Sequence, residues 1–182
     1  GLYEFAISGD GNTIATTSQI SKYDGSSWST YDTNNQTSNT ARRKGVKLNY
    51  DGTFALYFGY PGDGLVFKYD NNWSLISTIN DTNYTQLENK WYTDNNHSPI
   101  PGCISDNGNT IALSVFSGGS NTALSIIHIF KYNSIANSYD YYYAIDAGNN
   151  SDWYALTMEM SGDGSTLIFL DQRLTYIGVE FE

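Results

Sequence analysis

The feature that most constrains the fold is a short hairpin motif that recurs four times along the chain. Its copies read AISGDGNTIA, KLNYDGTFAL, CISDNGNTIA and MEMSGDGSTL. In each copy an apolar run reaches an Asp-Gly or Asn-Gly turn and then continues as a second apolar run. Because both turn residues tolerate positive φ, this dipeptide between apolar runs is a strong hairpin signal. The turn residues are Asp10, Asp51, Asn107 and Asp163, spaced 41, 56 and 56 residues apart.

The residues after each hairpin predict a meander of three or four antiparallel strands. A third strand such as SIIHIFKY follows, and after a second turn Trp28 and Trp73 open a candidate fourth strand. In that third strand, alternation points one set of side chains to one face and another set to the other: Ile126, His128, Phe130 and Tyr132 against Ile127 and Ile129. Since both faces carry apolar groups, each meander must be covered on both sides. Radial stacking of the units would provide this cover, and the sequence therefore predicts a β-propeller-like, all-β fold.

Composition supports an all-β chain that binds neither nucleic acid nor membranes. Gly, Ser, Thr, Asn and Asp make up 87 of the 182 residues, and these are turn formers rather than helix formers. The net charge of −10 argues against partners rich in phosphate, which clustered Lys and Arg would bind. No run approaches the roughly 18 apolar residues of a membrane-spanning helix. Low Lys content with high Ser, Thr and Asn content favours an extracellular or particle-surface location.

The repeat resembles a known class of degenerate propeller modules. The pattern Ser-x-Asp-Gly-x-Thr-apolar-Ala, followed by apolar-x-apolar-Lys-Tyr and then Asp-Gly-x-x-Trp, is similar to integrin-α and FG-GAP-related repeats. The matching segments are Ser8 to Trp28, Asp51 to Trp73, Ser105 to Tyr132 and, in part, Met160 to Phe181. The resemblance implies a secreted propeller. The chain lacks the family's Phe-Gly-x-Gly-Ala-Pro run and its Asp-x-Asp-x-Asp-Gly calcium loop, so calcium binding is not implied.

The repeats predict one domain of four units, at about 1–40, 41–92, 93–148 and 149–182. The last unit reaches only its third strand, LTYIGVEFE, and no Trp-bearing fourth strand follows it. Unpaired strand edges invite another chain to add a strand. We therefore predict self-association through Thr175, Ile177, Val179 and Phe181, with a filament or surface layer as the product. The alternative is that the chain is a fragment of a longer propeller.

The basic stretch ARRKGVK holds four of the nine basic residues, namely Arg42, Arg43, Lys44 and Lys47. One interpretation is a solvated loop before the strand VKLNY. The other is a contact with the acidic end of a neighbouring copy, at Glu180 and Glu182. The second interpretation places Arg42, Arg43 and Lys44 in the self-association surface.

No motif indicates catalysis, a metal or a cofactor. Each Asp-Gly turn offers one carboxylate, whereas calcium needs roughly six to eight oxygen ligands, so Asp10, Asp51, Asn107 and Asp163 are interpreted as structural turns. His97 and His128 have no second ligand at metal-binding spacing, and Cys103 is expected to be a buried apolar residue. Nucleophile-elbow and phosphate-loop patterns are missing. The nineteen acids permit a chance glycosidase pair, yet nothing marks one.

The sequence permits both glycosylation of this chain and binding of glycans by it. Six glycosylation sequons occur, at Asn35, Asn72, Asn80, Asn83, Asn96 and Asn149, a slight excess over chance. Aromatic side chains reach 15% of the chain, and the stretch SYDYYYAID is rich in Tyr. Exposed Tyr and Trp stack on sugar rings and also anchor protein interfaces. The alternative function is therefore a glycan- or cell-surface-binding module.

Overall fold

The computed structural model describes residues 4–36, 43–59, 64–80, 83–85, 101–117, 124–146, 157–170 and 176–181. Within these ranges the chain forms four antiparallel sheets, each built from strands that are consecutive in sequence. The predicted all-β fold of repeated meanders is confirmed. The fourth sheet has three strands among the described residues, while each of the other three has four.

The strands follow one another as simple meanders. The first sheet contains β1 (Phe5–Ile7), β2 (Thr13–Thr16), β3 (Gln19–Tyr23) and β4 (Trp28–Asp32), and a 3₁₀ helix covers Thr33–Gln36. The second contains β5 (Arg43–Leu48), β6 (Phe54–Gly59), β7 (Gly64–Asp70) and β8 (Asn72–Ile79). The third contains β9 (Gly102–Ile104), β10 (Thr110–Ser117), β11 (Leu124–Asn133) and β12 (Ser138–Asp146). The fourth contains β13 (Thr157–Met160), β14 (Thr166–Leu170) and β15 (Tyr176–Glu180).

The turn between the first two strands has the same backbone in every sheet. The glycine that follows the Asp or Asn has φ of 74° at Gly11, 61° at Gly52, 70° at Gly108 and 75° at Gly164. These values lie in the left-handed region, which glycine adopts without the steric cost of a Cβ atom. The recurring dipeptide thus supplies the corner that each meander needs.

The hydrophobic core consists of three layers, one between each pair of successive sheets. The third sheet shows the alternation that the sequence predicts. Phe130 packs toward the second sheet with Ile111 and Leu113, whereas Ile127 and Ile129 pack toward the fourth with Met158. Both faces of the middle sheets are therefore buried, as in a radial stack.

The first strand of each sheet lies against the first strand of the next, β1 against β5, β5 against β9, and β9 against β13. A groove of about 400 Å³ follows these strands and is lined by residues 4–7, 46–48 and 159. Across it, the Lys47 ammonium lies 2.7 Å from a carboxylate oxygen of Glu159. This ion pair joins the second sheet to the fourth, past the intervening β9.

Candidate functional site

The recurring turns lie where successive sheets meet, and their backbones are bonded to one another. The Asp10 amide donates to the Tyr50 carbonyl at 3.0 Å, and the Tyr50 amide donates to the Asp106 carbonyl at 3.2 Å. The Asn107 amide continues the series, at 3.3 Å from the Gly162 carbonyl. Backbone hydrogen bonds thus link the four turns, from the first sheet to the fourth.

The acidic groups of these turns are used within their own loops. Asp10 accepts from the Ser8 hydroxyl at 2.6 Å and from the Asn12 amide at 2.9 Å. Burial acts to raise the pKa of Asp10, but these hydrogen bonds outweigh it and hold the pKa below its usual value. The Ser161 hydroxyl and the Ser165 amide lower the pKa of Asp163 to about 2. In the part of the chain that the structure describes, no group of three or more His, Cys, Asp or Glu is placed to hold a metal ion.

Lysines on the third strands reach from one sheet to the next. The Lys22 ammonium donates to the Gly52 carbonyl at 3.2 Å and the Asp51 carbonyl at 3.3 Å. The Lys68 ammonium donates to the Tyr132 hydroxyl oxygen at 2.7 Å. This role of the lysines was not predicted from the sequence. The signal was present in the repeated Lys-Tyr ending of the third strand, which places a cation at the same register in three sheets.

The outer face of the first sheet exposes apolar side chains. Phe5 is 75% exposed and Trp28 is 48% exposed. By their places in the strand pairing, their counterparts in the second sheet are Val46 and Trp73, which are 1% and 4% exposed because the first sheet covers them. The Trp28 ring contacts the Tyr23 ring at a centroid distance of 5.4 Å. The outer face of the first sheet is therefore apolar and exposed, whereas the equivalent face of the second sheet is buried.

The outer edge of β15 is the second available surface. In the first three sheets a fourth strand, β4, β8 or β12, pairs with the third. Among the described residues, β15 pairs with β14 alone. The Phe181 amide donates to the Ser165 carbonyl at 2.9 Å, so the odd-numbered positions bond inward. Because successive peptide groups point to opposite sides of a strand, the amides of Gly178 and Glu180 face the open edge.

The side chains of the predicted self-association residues do not lie on a free face. Ile177, Val179 and Phe181 are partly buried against the third sheet, in the cluster that contains Met158. What β15 offers a partner is its backbone edge. Thr175 lies outside the described residues, and self-association remains a prediction.

The basic stretch is only partly described. Arg42 lies outside the described residues, and for Arg43 and Lys44 the structure describes the backbone, which begins β5. Lys47 forms its ion pair within the chain, with Glu159. Contact between this stretch and the acidic end of another copy remains a prediction.

The buried polar groups of the third sheet serve packing. Cys103 is buried, and this burial raises the pKa of its thiol, so the group is not a reactive thiolate at neutral pH. His128 is buried in β11, with its ring 5.9 Å from that of Tyr141. His97 lies outside the described residues.

Of the predicted glycosylation sites, Asn72 is exposed at the start of β8. Asn83 is also exposed, but its side-chain amide donates to the Thr78 carbonyl at 2.7 Å. Asn80 is partly buried and accepts from the Asn83 amide at 2.9 Å. The Asn35 side chain, Asn96 and Asn149 lie outside the described residues. Glycosylation remains a prediction at all six sites.

Solved structures of similar fold match nearly the whole chain. The yeast Saccharomyces cerevisiae Sqt1 matches with a TM-score of 0.60 and 10% identity, over 97% of this chain and 44% of that one. The Cps50 (Swd1) β-propeller domain of Myceliophteria thermophila matches with a TM-score of 0.59 and 10% identity, over 98% and 53%. The fold is that of β-propeller proteins. The matched structures include WD40-type propellers built of repeated antiparallel meanders.

A third match is a putative 6-phosphogluconolactonase from Bacteroides uniformis, with a TM-score of 0.58 and 14% identity, over 99% of this chain and 51% of that one. The chain therefore spans about half the length of the propellers it matches. No protein-family model matches the sequence, and no curated protein matches it. Among the described residues, no helix has the length and apolar character needed to cross a bilayer.

Proposed function

We propose that this chain is a non-catalytic interaction module that joins protein chains, copies of itself first among them, by accepting a strand at the open edge of β15. The observation that carries the proposal is the difference between the last sheet and the other three. The third strands of those sheets are covered by β4, β8 and β12, whereas the outer edge of β15 has no paired strand among the described residues. An uncovered edge is a template for main-chain hydrogen bonds from another chain.

The other sheets indicate the chemistry of the added strand. In each of them an aromatic ring near the end of the third strand contacts one near the start of the fourth. These pairs are Tyr23 with Trp28, Tyr69 with Trp73, and Tyr132 with Tyr139, at 5.4 to 5.5 Å. Phe181 occupies the corresponding place beside β15. We therefore expect the added segment to be extended and to set an aromatic side chain against Phe181.

Propellers of similar fold occur in protein assemblies, which supports a binding role. One matched structure is the mitotic checkpoint complex, and another is a complex of KlAtg21 with the coiled coil of AgAtg16. Other matched structures are enzymes by title, including the putative lactonase. The non-catalytic assignment therefore rests on this chain's own residues. Its turn carboxylates are bonded within their loops, and its cysteine is buried.

The finer parts of the proposal rest on sequence alone. The repeat motif favours kinship with FG-GAP-type repeats. The composition favours an extracellular or particle-surface location, and we propose a filament or surface layer as the product. Edge addition is compatible with such an assembly because each added copy would carry its own β15 edge.

The edge can be tested at Gly178 with a matched pair of variants. Gly178→Pro removes the outward amide, and its ring obstructs the edge, while the inward bonds to β14 stay. Gly178→Ala keeps the amide, and its Cβ would meet no atom within 4 Å. In sedimentation velocity, the wild-type chain and Gly178→Ala should form concentration-dependent assemblies that Gly178→Pro loses. Identical distributions for the two variants would reject edge addition.

Glycan binding is the second candidate. It is favoured by the exposed Trp28, whose ring lies 5.4 Å from that of Tyr23, and by Tyr142 and Tyr143, which are exposed on β12. Flat aromatic faces of this kind can stack on sugar rings. A glycan array probed with the wild-type chain and with Trp28→Ala tests this function. Binding that depends on Trp28 supports it, and an array without signals rejects it.

A further inference from the structure

The junctions between successive sheets are built alike, and the two outermost sheets each present one half of such a junction. At the first junction, the Thr13 hydroxyl lies where a Cβ atom on Gly52 would stand, 2.2 Å from it. At the third, the Thr110 hydroxyl lies 2.4 Å from the corresponding position on Gly164. At the second, the Phe54 ring covers Gly108 in the same way. At each of the three junctions, the turn glycine is thus covered by a residue that begins the second strand of the preceding sheet.

The first sheet's turn has no such cover. A Cβ atom on Gly11 would meet no atom within 4 Å among the described residues, although its φ is that of the other three turns. The bare glycine belongs to the same face as Phe5 and Trp28, whose counterparts are buried. The front face, defined as Phe5, Ile7, Gly11 and Trp28, is therefore the receiving half of a junction.

The fourth sheet presents the other half. Thr166 stands at the register of Thr13 and Thr110, and it is partly buried on the outward side of β14. Ile168 stands at the register of Ala15 and Ala112 and is half exposed. Its cross-strand partner is Gly178, where the other sheets have Ile20, Val66 and Ile129. The back face, defined as Thr166, Ile168 and Gly178, matches the covering half of a junction and leaves room beside Ile168.

We propose that the back face of one copy seats on the front face of a second copy, so that two copies close head to tail into one ring of eight sheets. Thr166 would then cover Gly11 of the other copy, and Ile168 would pack toward Phe5 and Ile7. Eight sheets lie within the range of about four to eight blades that propellers use.

The polar groups of the two faces fit this arrangement. At the second junction the Lys68 ammonium donates to the Tyr132 hydroxyl oxygen. The corresponding pair across the new junction is Glu180 and Tyr23, by the strand registers. There the roles reverse, because a carboxylate accepts and the phenol hydroxyl donates. Glu180 would thus accept from the Tyr23 hydroxyl, which within one chain donates to the Gly25 carbonyl at 2.9 Å.

The front and back faces are different surfaces from the edge of β15. The edge points to the rim of the stack, whereas the front and back faces close the ring. Phe5→Asp should remove the two-copy ring and still leave strand addition at β15, because Phe5 lies in the first sheet and β15 in the fourth. Loss of the ring with retained edge assembly, or the reverse, therefore tells the two proposals apart.

The test uses charge substitutions on each face and a mixture of the two. Phe5→Asp disables the front face, and Ile168→Asp disables the back face. Because both wild-type side chains are at least half exposed, folding should be retained, and circular dichroism checks this. Ile7→Asp and Ile168→Ser serve as second variants should either first one fail to fold. Ile135→Asp is the control, since Ile135 is 98% exposed in the turn between β11 and β12, away from both faces.

Sedimentation equilibrium of the wild-type chain should resolve a species of twice the 20.2 kDa of the chain, and Ile135→Asp should leave it unchanged. Phe5→Asp and Ile168→Asp should each raise the dissociation constant at least about tenfold, the equivalent of 1.4 kcal/mol. An equimolar mixture should recover dimer, because one intact junction forms between an undamaged front and an undamaged back. A monomer at every concentration, a dimer that survives Ile168→Asp, or a mixture that recovers nothing would each overturn the proposal.

Discussion

Thr13 donates a hydrogen bond from its hydroxyl to the carbonyl of Gly52 at 3.1 Å, across the junction between the first and second sheets. The same hydroxyl occupies the space of a Cβ atom on Gly52. The glycine is therefore required twice, by its positive φ and by the close approach of the neighbouring sheet. This contact shows how a turn motif that repeats for local reasons also fixes the stacking of sheets.

The two requirements can be separated by substituting two glycines. In the monomeric chain, Gly11→Ala changes only the backbone cost at φ of 74°, because its Cβ meets open space there, and at concentrations that keep the chain monomeric it should lower the free energy of unfolding by about 1 kcal/mol. Gly52→Ala has a similar backbone cost and also displaces Thr13, which should add about 1 to 3 kcal/mol. Urea denaturation of both variants measures the difference. Equal decreases in the free energy of unfolding would mean that Thr13 moves aside at Gly52 without cost.

The turn carboxylates predict a specific acid response. The pKa of Asp163 is lowered to about 2 by the Ser161 hydroxyl and the Ser165 amide. A carboxyl with a lowered folded-state pKa stabilises the fold above its unfolded-state value near 3.8, and this contribution is lost as pH falls toward about 2. Asp163→Asn should keep the turn, because Asn107 forms the same bonds to Ser105 and Asn109 in the third sheet.

Denaturation midpoints of the wild-type chain and Asp163→Asn, followed from pH 5 to pH 2, check this effect. The wild-type chain should lose more stability over this interval than the variant does. Parallel curves would show that Asp163 does not contribute to the acid response.

We expect the buried hydroxyl of Tyr139 to contribute measurably to the free energy of unfolding. Its hydroxyl donates to the Gly108 carbonyl in the core, and burial raises the pKa of Tyr139, so it remains a neutral donor. Tyr139→Phe leaves the carbonyl without this donor and should cost about 1 to 3 kcal/mol of unfolding free energy. Tyr143→Phe is the matched control, since Tyr143 is exposed on the same strand and its loss should cost little. Thermal denaturation distinguishes the two, and equal stability of both variants would contradict the assignment.

Local patterns allowed much of the fold to be predicted from the sequence. Asp-Gly corners and the alternation around His128 are set by neighbouring residues, and both appear in the sheets as expected. The junctions were not predicted, because the bond from Lys22 to Gly52 spans 30 residues and depends on how sheets stack. The sequence also made no prediction of which neighbouring sheet Ile177 and Val179 pack against. Alternation places them together on one face, but it does not say which face the third sheet covers.

Of the two exposed surfaces, only the edge of β15 could be predicted from local sequence patterns. Counting the repeats predicts β15 as the third strand of the last unit, and among the described residues it pairs with β14 alone. The exposure of Phe5 could not be identified, because Val46, its counterpart, is apolar too and is buried. Only the order of the sheets shows that nothing among the described residues precedes the first one.

Residue-resolved amide hydrogen exchange across a range of protein concentrations tests the central claim, that β15 accepts a strand, most directly. The amides of Gly178 and Glu180 face the open edge, while that of Phe181 bonds inward to Ser165. Edge addition predicts that exchange at Gly178 and Glu180 slows as concentration rises, while exchange at Phe181 stays slow throughout. Exchange at Gly178 and Glu180 that is equally fast at every concentration would contradict it.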